Sequence, residues 1–265
     1  IYDLATNFRK AAYFSVVVGD ILDRLLWRVR PYEREPGMAD AFIEEAMRSL
    51  SDAFEAHGAK RNFDRILEKL DEVILEGRAL IDPAVPRKPL IGIVGVIYLR
   101  THVQANQHVI RTLEKYGAEV VNASIAEWVN YTTYDRLREA KIDLRMSLKQ
   151  FRLDRIHSQL KTILGYGIDL YYQHMRQNQV YDRVKGAIDL HPDHRVGELE
   201  KVLQEEDLFS FDVGTEACLS ISGILEYARH GYNGVVNVYP FTCMPSTITS
   251  AVMRPILNRM KIPYL

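Results

Sequence analysis

The residues best placed to do chemistry lie in PFTCMPST, residues 240–247. Cys243 follows a Val-rich run fit for a strand. Pro245 suits the first turn of a helix, where no N–H is needed. A sulfur at such a strand-to-helix turn, flanked by Thr242 and Met244, meets free backbone N–H groups and the positive end of a helix dipole. That surrounding favours thiolate over thiol. A thiolate serves as nucleophile, redox sensor or metal ligand; the alternative is that Cys243 packs as a small buried hydrophobe.

Glu216 opens the helix before that βα unit. It reads either as a first-turn acid complementing the helix dipole or as a catalytic or ligating carboxylate at the sheet edge. Cys218 shares a helix face with Ile221 and Leu225 and reads as core packing. With two cysteines and no C-x-x-C, a metal site built on Cys243 needs ligands from elsewhere. His191 and His194, in HPDHR beside Asp189, suggest a metal pair but read as a solvated loop. Gly92 and Gly95 form no G-x-G-x-x-G, so the dinucleotide fingerprint is absent. Tyr131, Tyr134, Tyr166, Tyr171 and Tyr172 read as packing. Lys and Arg number 34 against 35 for Asp and Glu, so no basic excess points to nucleic acid.

These groups must be positioned by a folded chain of 265 residues, 47% apolar and 26% charged, values ordinary for a globular protein. Two cysteines cannot staple a secreted fold of this size, so a reducing cytoplasm is the expected location. No apolar run approaches the ~20 residues of a membrane span, and no signal peptide is evident, so no membrane is expected. The chain opens on Ile1 and closes on KIPYL, a strand with no covering helix after it, so a fragment of a longer protein is expected.

Residues 1–82 read as helical. Ile43, Ala46, Met47, Leu50 and Phe54 make one stripe, and Phe63, Ile66, Leu67, Leu70, Val73 and Ile74 another. RVRPYEREPG, residues 28–37, is a charged, Pro-bounded connector read as a solvated loop. DPAVPRKP, residues 82–89, is the clearest boundary. Beyond it LIGIVGVIY, residues 90–98, reads as a strand buried on both faces. A helix from Val103 to Tyr116, a stop at Gly117 and the strand AEVVNAS follow. After a helical stretch come a helix from Thr215 to His230, the strand VVNVYP, a helix from Pro245 to Met260 and a final strand IPYL. The expected fold is therefore α/β: a parallel sheet with flanking helices, Rossmann-like or flavodoxin-like, over residues 83–265. A helical segment, 1–82, precedes it, and a helical insertion interrupts it at about 125–195. Ligands in such sheets bind at the carboxyl ends of the strands, here the loops after Val94, Val121 and Tyr239.

KPLIGIVGVIYLRTH, LEKYGAEVV, EWVNYT and EACLSISGILEYARHGYNGVVNVYPFTCMPST resemble the 2-hydroxyacyl-CoA dehydratase D-component family, in its branch of acyl-CoA dehydratase activase-related proteins. GDILDRLLWRVRPYE and PGMADA look like the segment preceding that domain. The resemblance implies parallel α/β domains and an iron–sulfur cluster, of the 4Fe–4S or a related type, held by cysteines at loop ends. It implies water elimination from 2-hydroxyacyl-CoA by a ketyl-radical route, with an ATP-dependent activator supplying the electron and a possible sister subunit. The Cys of the P-F-x-C-M-P block maps onto Cys243 as a cluster ligand, with Thr242 and Met244 beside it, and Glu216 is the candidate catalytic carboxylate. The cluster is expected in the full-length protein and absent from the isolated chain. Val96 stands where relatives often carry Glu, and Cys218 where they carry a small or aliphatic residue. Two other readings stand beside this redox component. One is a non-catalytic docking scaffold with residues 1–80 and the Tyr-rich insertion as contact surfaces. The other is a simple thiol enzyme or sensor using Cys243.

Overall fold

The computed structural model describes the backbone of residues 2–265, and their side chains apart from 2–7, 153 and 154. Three helices come first: α1 (Tyr2–Val29), α2 (Met38–His57) and α3 (Phe63–Ala79). On α1, Phe14, Val17, Val18, Ile21 and Leu25 recur every three or four residues, so they share one face. That face packs against Ile43, Ala46 and Leu50 of α2 and Ile66, Leu67, Leu70 and Ile74 of α3. Val180 and Val184 of α7 (Leu153–Val184) join the same core. The first segment thus shares its core with the end of the helical insertion.

The sheet has three parallel strands, β1 (Leu90–Gly95), β2 (Glu119–Asn122) and β3 (Gly234–Val238), in the order β2-β1-β3. The chain end runs alongside β3: Tyr264 bridges Val235 in parallel, and Asn237 N donates to Leu265 O at 2.9 Å. Side chains alternate across the sheet as strand geometry requires. Ile91, Ile93, Val120 and Val236 face α5 (Val109–Lys115). Val94, Val121 and Val235 face a core built with α8 (Val196–Glu205), α9 (Glu216–Arg229) and α10 (Met244–Met260). The chain is therefore an α/β protein, mostly helical, with a small parallel sheet flanked by helices.

The insertion is a helical hairpin, α6 (Ile125–Lys149) against α7. Asn130 donates to Gln177 at 2.9 Å, Gln173 to Thr133 at 2.9 Å and Gln159 to Ser147 at 3.0 Å, which fixes the antiparallel register. Two sequence expectations are corrected. The strand over 90–98 stops at Gly95, because a φ of 114° there turns the backbone out of the ladder, and α4 (Ile97–Thr101) begins. The helix expected from Val103 starts at Val109. Gln107 and His108, both at φ 56°, hold residues 102–108 as a loop. Among the described residues no helix is long and apolar enough to cross a membrane.

Candidate functional site

The carboxyl ends of β1 and β3 are joined by a close backbone approach. Val96 N donates to Val238 O at 3.0 Å. A Cβ on Gly95 would lie 2.1 Å from that same carbonyl oxygen, so glycine is required both by φ and by space. Beyond Val238 the chain makes a tight turn. Cys243 N donates to Pro240 O at 3.1 Å, with Thr242 at φ 69°. The left-handed conformation is strained for a β-branched residue. Cys243 then occupies the N-cap of α10, and its carbonyl accepts from Thr247 N and Oγ1. Its side chain is half-buried, between Phe241, which is 96% exposed, and Met244, 65% exposed. Cys243 is therefore partly open to solvent, beside first-turn amides that have no acceptor within the helix.

Cys218 is fully buried on α9, its thiol directed to Ser210 O at 3.6 Å, and burial pushes its pKa up. The core reading of Cys218 holds. An iron–sulfur cluster takes four cysteine ligands. Among the described residues no group of three His, Cys, Asp or Glu is arranged to hold a metal. Cys243 offers one thiolate, and the described residues do not complete a cluster site.

Glu216 is the first residue of α9, whose N-cap Thr215 accepts from Ala217 N at 3.3 Å. Trp128 Nε1 donates to its carboxylate at 3.2 Å. It lines a niche of about 10 Å³ behind the end of β1, with Arg100, Glu127, Trp128 and His194. That is room for about one water. Glu127 is 5% exposed, accepts from His194 N at 3.2 Å and faces His194 Nδ1 at 3.5 Å. Burial opposes ionisation of both partners. The hydrogen bond and charge of the pair outweigh it, holding the Glu127 carboxyl below its usual range and raising His194.

The HPDHR segment is accordingly no solvated loop. Asp193 forms a buried ion pair with Arg24 of α1 and accepts from Gln177 at 2.6 Å. His191 stacks edge-on against Tyr232, and burial lowers its pKa. In the 28–37 connector Arg30 is likewise buried, paired with Glu114 at 2.7 Å.

A further group of polar side chains on this edge lies beside β2. A cavity of about 370 Å³ opens between α1, the 102–108 loop and the start of α6. Asp23, Trp27, Arg30, Arg100 and Arg111 stand in its walls. Arg100 is 5% exposed. Its Nη1 donates to Ala123 O at 3.3 Å, while its Nε has no partner. Asn122 donates to Arg100 O at 2.9 Å and leaves its own Oδ1 unpaired; Arg24 leaves Nε and Nη1 unpaired. Buried polar groups are nearly always bonded, so three side chains with orphaned atoms in the walls of one cavity set this part of the edge apart.

Two carboxyls there bind protons unusually tightly. Asp20 accepts from Ile125 N at 3.0 Å and Ala126 N at 2.8 Å, capping α6 from α1. Burial and the charge of Asp193 nonetheless raise it to about 7. Asp23 is exposed at the cavity mouth, where loss of surrounding water to the neighbouring walls raises it to about 6 against the pull of Arg24 and Arg30. The cavity walls include neither Glu216 nor Cys243. The two candidates from the sequence thus occupy separate stations on the edge: Glu216 behind β1, and Cys243 beyond β3, two strands (~10 Å) from β2. Arg100 links the cavity to the niche of Glu216, since it lines both.

The missed residues carried a signal. Asp20, Arg24 and Arg28 fall on the apolar stripe of Val17, Ile21 and Leu25, where a solvated charge does not belong. Compared with known proteins, the chain matches no family model, no curated protein and no solved structure.

Proposed function

We propose that the carboxyl edge of this sheet is the working face of a redox component related to the 2-hydroxyacyl-CoA dehydratases and their activase-related proteins. In this reading the sheet is flavodoxin-like. Its order β2-β1-β3, with Tyr264 beyond β3, puts a topological switch beside β1, where ligands bind in open α/β sheets. The observation that carries the reading is Arg100, nine-tenths buried and with its Nε unpartnered, in the walls of both the cavity and the Glu216 niche.

Each group then has a task. Arg100 holds an oxygen of an acyl-CoA-type or other small substrate through a charge-assisted hydrogen bond. Trp27 and Ile110 give the substrate an apolar wall. Asp23, poised near pH 6, takes up or releases a proton at its carboxylate. Glu216 stays fixed by Trp128. Cys243 would offer one thiolate to an iron–sulfur cluster, whose remaining ligands the described residues do not supply, and Thr242 and Met244 flank that sulfur. The cluster would supply low-potential electrons. The exposed apolar turn of Phe241 and Met244 is where an ATP-dependent activator or a sister subunit would meet the chain.

The test is anaerobic reconstitution of the intact protein with ferrous iron and sulfide, then iron and sulfide assay and EPR. Wild type and Cys218→Ala retain iron, and Cys243→Ala loses it. Equal iron in wild type and Cys243→Ala would sink the cluster reading.

A further inference from the structure

Helix α7 carries an apolar stripe that no described residue covers. Leu160, Leu164, Ile168, Tyr171 and Met175 are 50%, 64%, 58%, 71% and 37% exposed. They recur at intervals of four, four, three and four, so they share one face. The other faces of α7 are engaged. Gln159, Gln173 and Gln177 bond α6 or its neighbours, Asp169 pairs with Arg9 of α1, and Arg176 stacks on Phe63. Gly167 lies three residues after Leu164 and four before Tyr171, on the stripe's face. A Cβ there would meet nothing within 4 Å. Glycine in a helix interior is destabilising relative to alanine, and no contact among the described residues calls for it.

The stripe is also self-complementary. A two-fold axis between residues 167 and 168, perpendicular to the helix, maps it onto itself in the opposite direction. Leu160 then meets Met175, Leu164 meets Tyr171, and Ile168 meets Gly167. The bulky side chain at the centre falls on Gly167, the glycine on the stripe's face, while Gly165 lies off it, and close helix packing favours such a match. An isologous contact needs this kind of self-matching surface. The stripe itself carries no charge. Membrane-surface helices instead flank their apolar face with several Lys or Arg, and here Lys161 alone does so over this stretch.

We infer that α7 pairs antiparallel with α7 of a second copy of this chain, crossing at Gly167. The contact spans about 22 Å of helix at 1.5 Å per residue. A contact confined to one helix pair is small for a specific interface, so the dimer is weak and concentration-dependent.

Sedimentation equilibrium of the full chain tests this from about 1 to 200 µM. Wild type passes from monomer to dimer across that range, and Leu164→Glu and Ile168→Glu stay monomeric with unchanged far-UV circular dichroism. Gly167→Ala gives a signature that a role confined to one chain would not. Its monomer melts at a higher temperature, while its association weakens at least tenfold. A wild type that is monomeric throughout, or a dimer that Leu164→Glu and Ile168→Glu leave intact, overturns the inference. So does co-sedimentation of the wild-type monomer with vesicles containing one-third anionic lipid, lost in Leu164→Glu.

Discussion

Asp20→Asn separates the electrostatics of the α1–α6 joint from its packing. The Asp20 carboxylate caps α6 with two backbone hydrogen bonds, yet burial and Asp193 raise its pKa from 3.8 to about 7. The folded chain therefore holds this proton more tightly than the unfolded chain does. The stability Asp20 contributes is fully present below about pH 4 and is lost as pH rises through 7. At about 1.4 kcal/mol per tenfold change in proton affinity, the ceiling is ~4 kcal/mol, and a swing of order 2–4 kcal/mol is expected. Asparagine keeps the shape and an acceptor oxygen but does not titrate. Urea unfolding followed by circular dichroism, from pH 4 to 8.5, gives the stability difference between wild type and Asp20→Asn at each pH. Titration of groups common to both proteins cancels in that difference. The difference should move in favour of the variant by that amount, mostly between pH 4 and 7. A difference that stays flat, or moves towards wild type as pH rises, would refute the reasoning.

Other consequences follow from the same geometry. Asp193→Ala leaves Arg24 buried without its counter-ion and should cost about 3–5 kcal/mol in urea unfolding. Gly95→Ala forces a Cβ against Val238 O in a left-handed conformation. It should destabilise by about 2 kcal/mol or more, and hydrogen exchange should quicken first at Val96 N. Iodoacetamide at neutral pH should label Cys243 at least about 100-fold faster than Cys218, read by mass spectrometry, because Cys218 reacts only after local opening.

Much of the scaffold was legible because period and punctuation mark it. The Val/Ile runs gave β1, β2 and β3, Pro245 marked the start of α10, and the face shared by Cys218, Ile221 and Leu225 placed that cysteine in the core. Cys243 came out where spacing put it, on a strand-to-helix turn with its side chain partly open. The cavity was not legible. Its walls come from α1, a loop and the start of α6, and the pairings that build it join residues up to 169 positions apart, as with Arg24 and Asp193. Charged residues in HPDHR and the 28–37 connector read as solvated, since local sequence shows a charge but not the partner that allows its burial. The 102–108 loop was hidden for a related reason. The apolar residues of Val103–Tyr116 have helical spacing, but Asn106 bonds Leu99 O and Val109 N instead and holds the backbone open.

The claim on which the functional account rests is that the carboxyl edge of the sheet receives the substrate. Amide hydrogen exchange of the intact protein, with and without a 2-hydroxyacyl-CoA, tests it most directly. Slowed exchange is expected at residues 96–101 and 122–127, largely abolished by Arg100→Ala, with the α2–α3 pair unchanged. Exchange that is unaltered along that edge, or slowed only in α2 and α3, would contradict it.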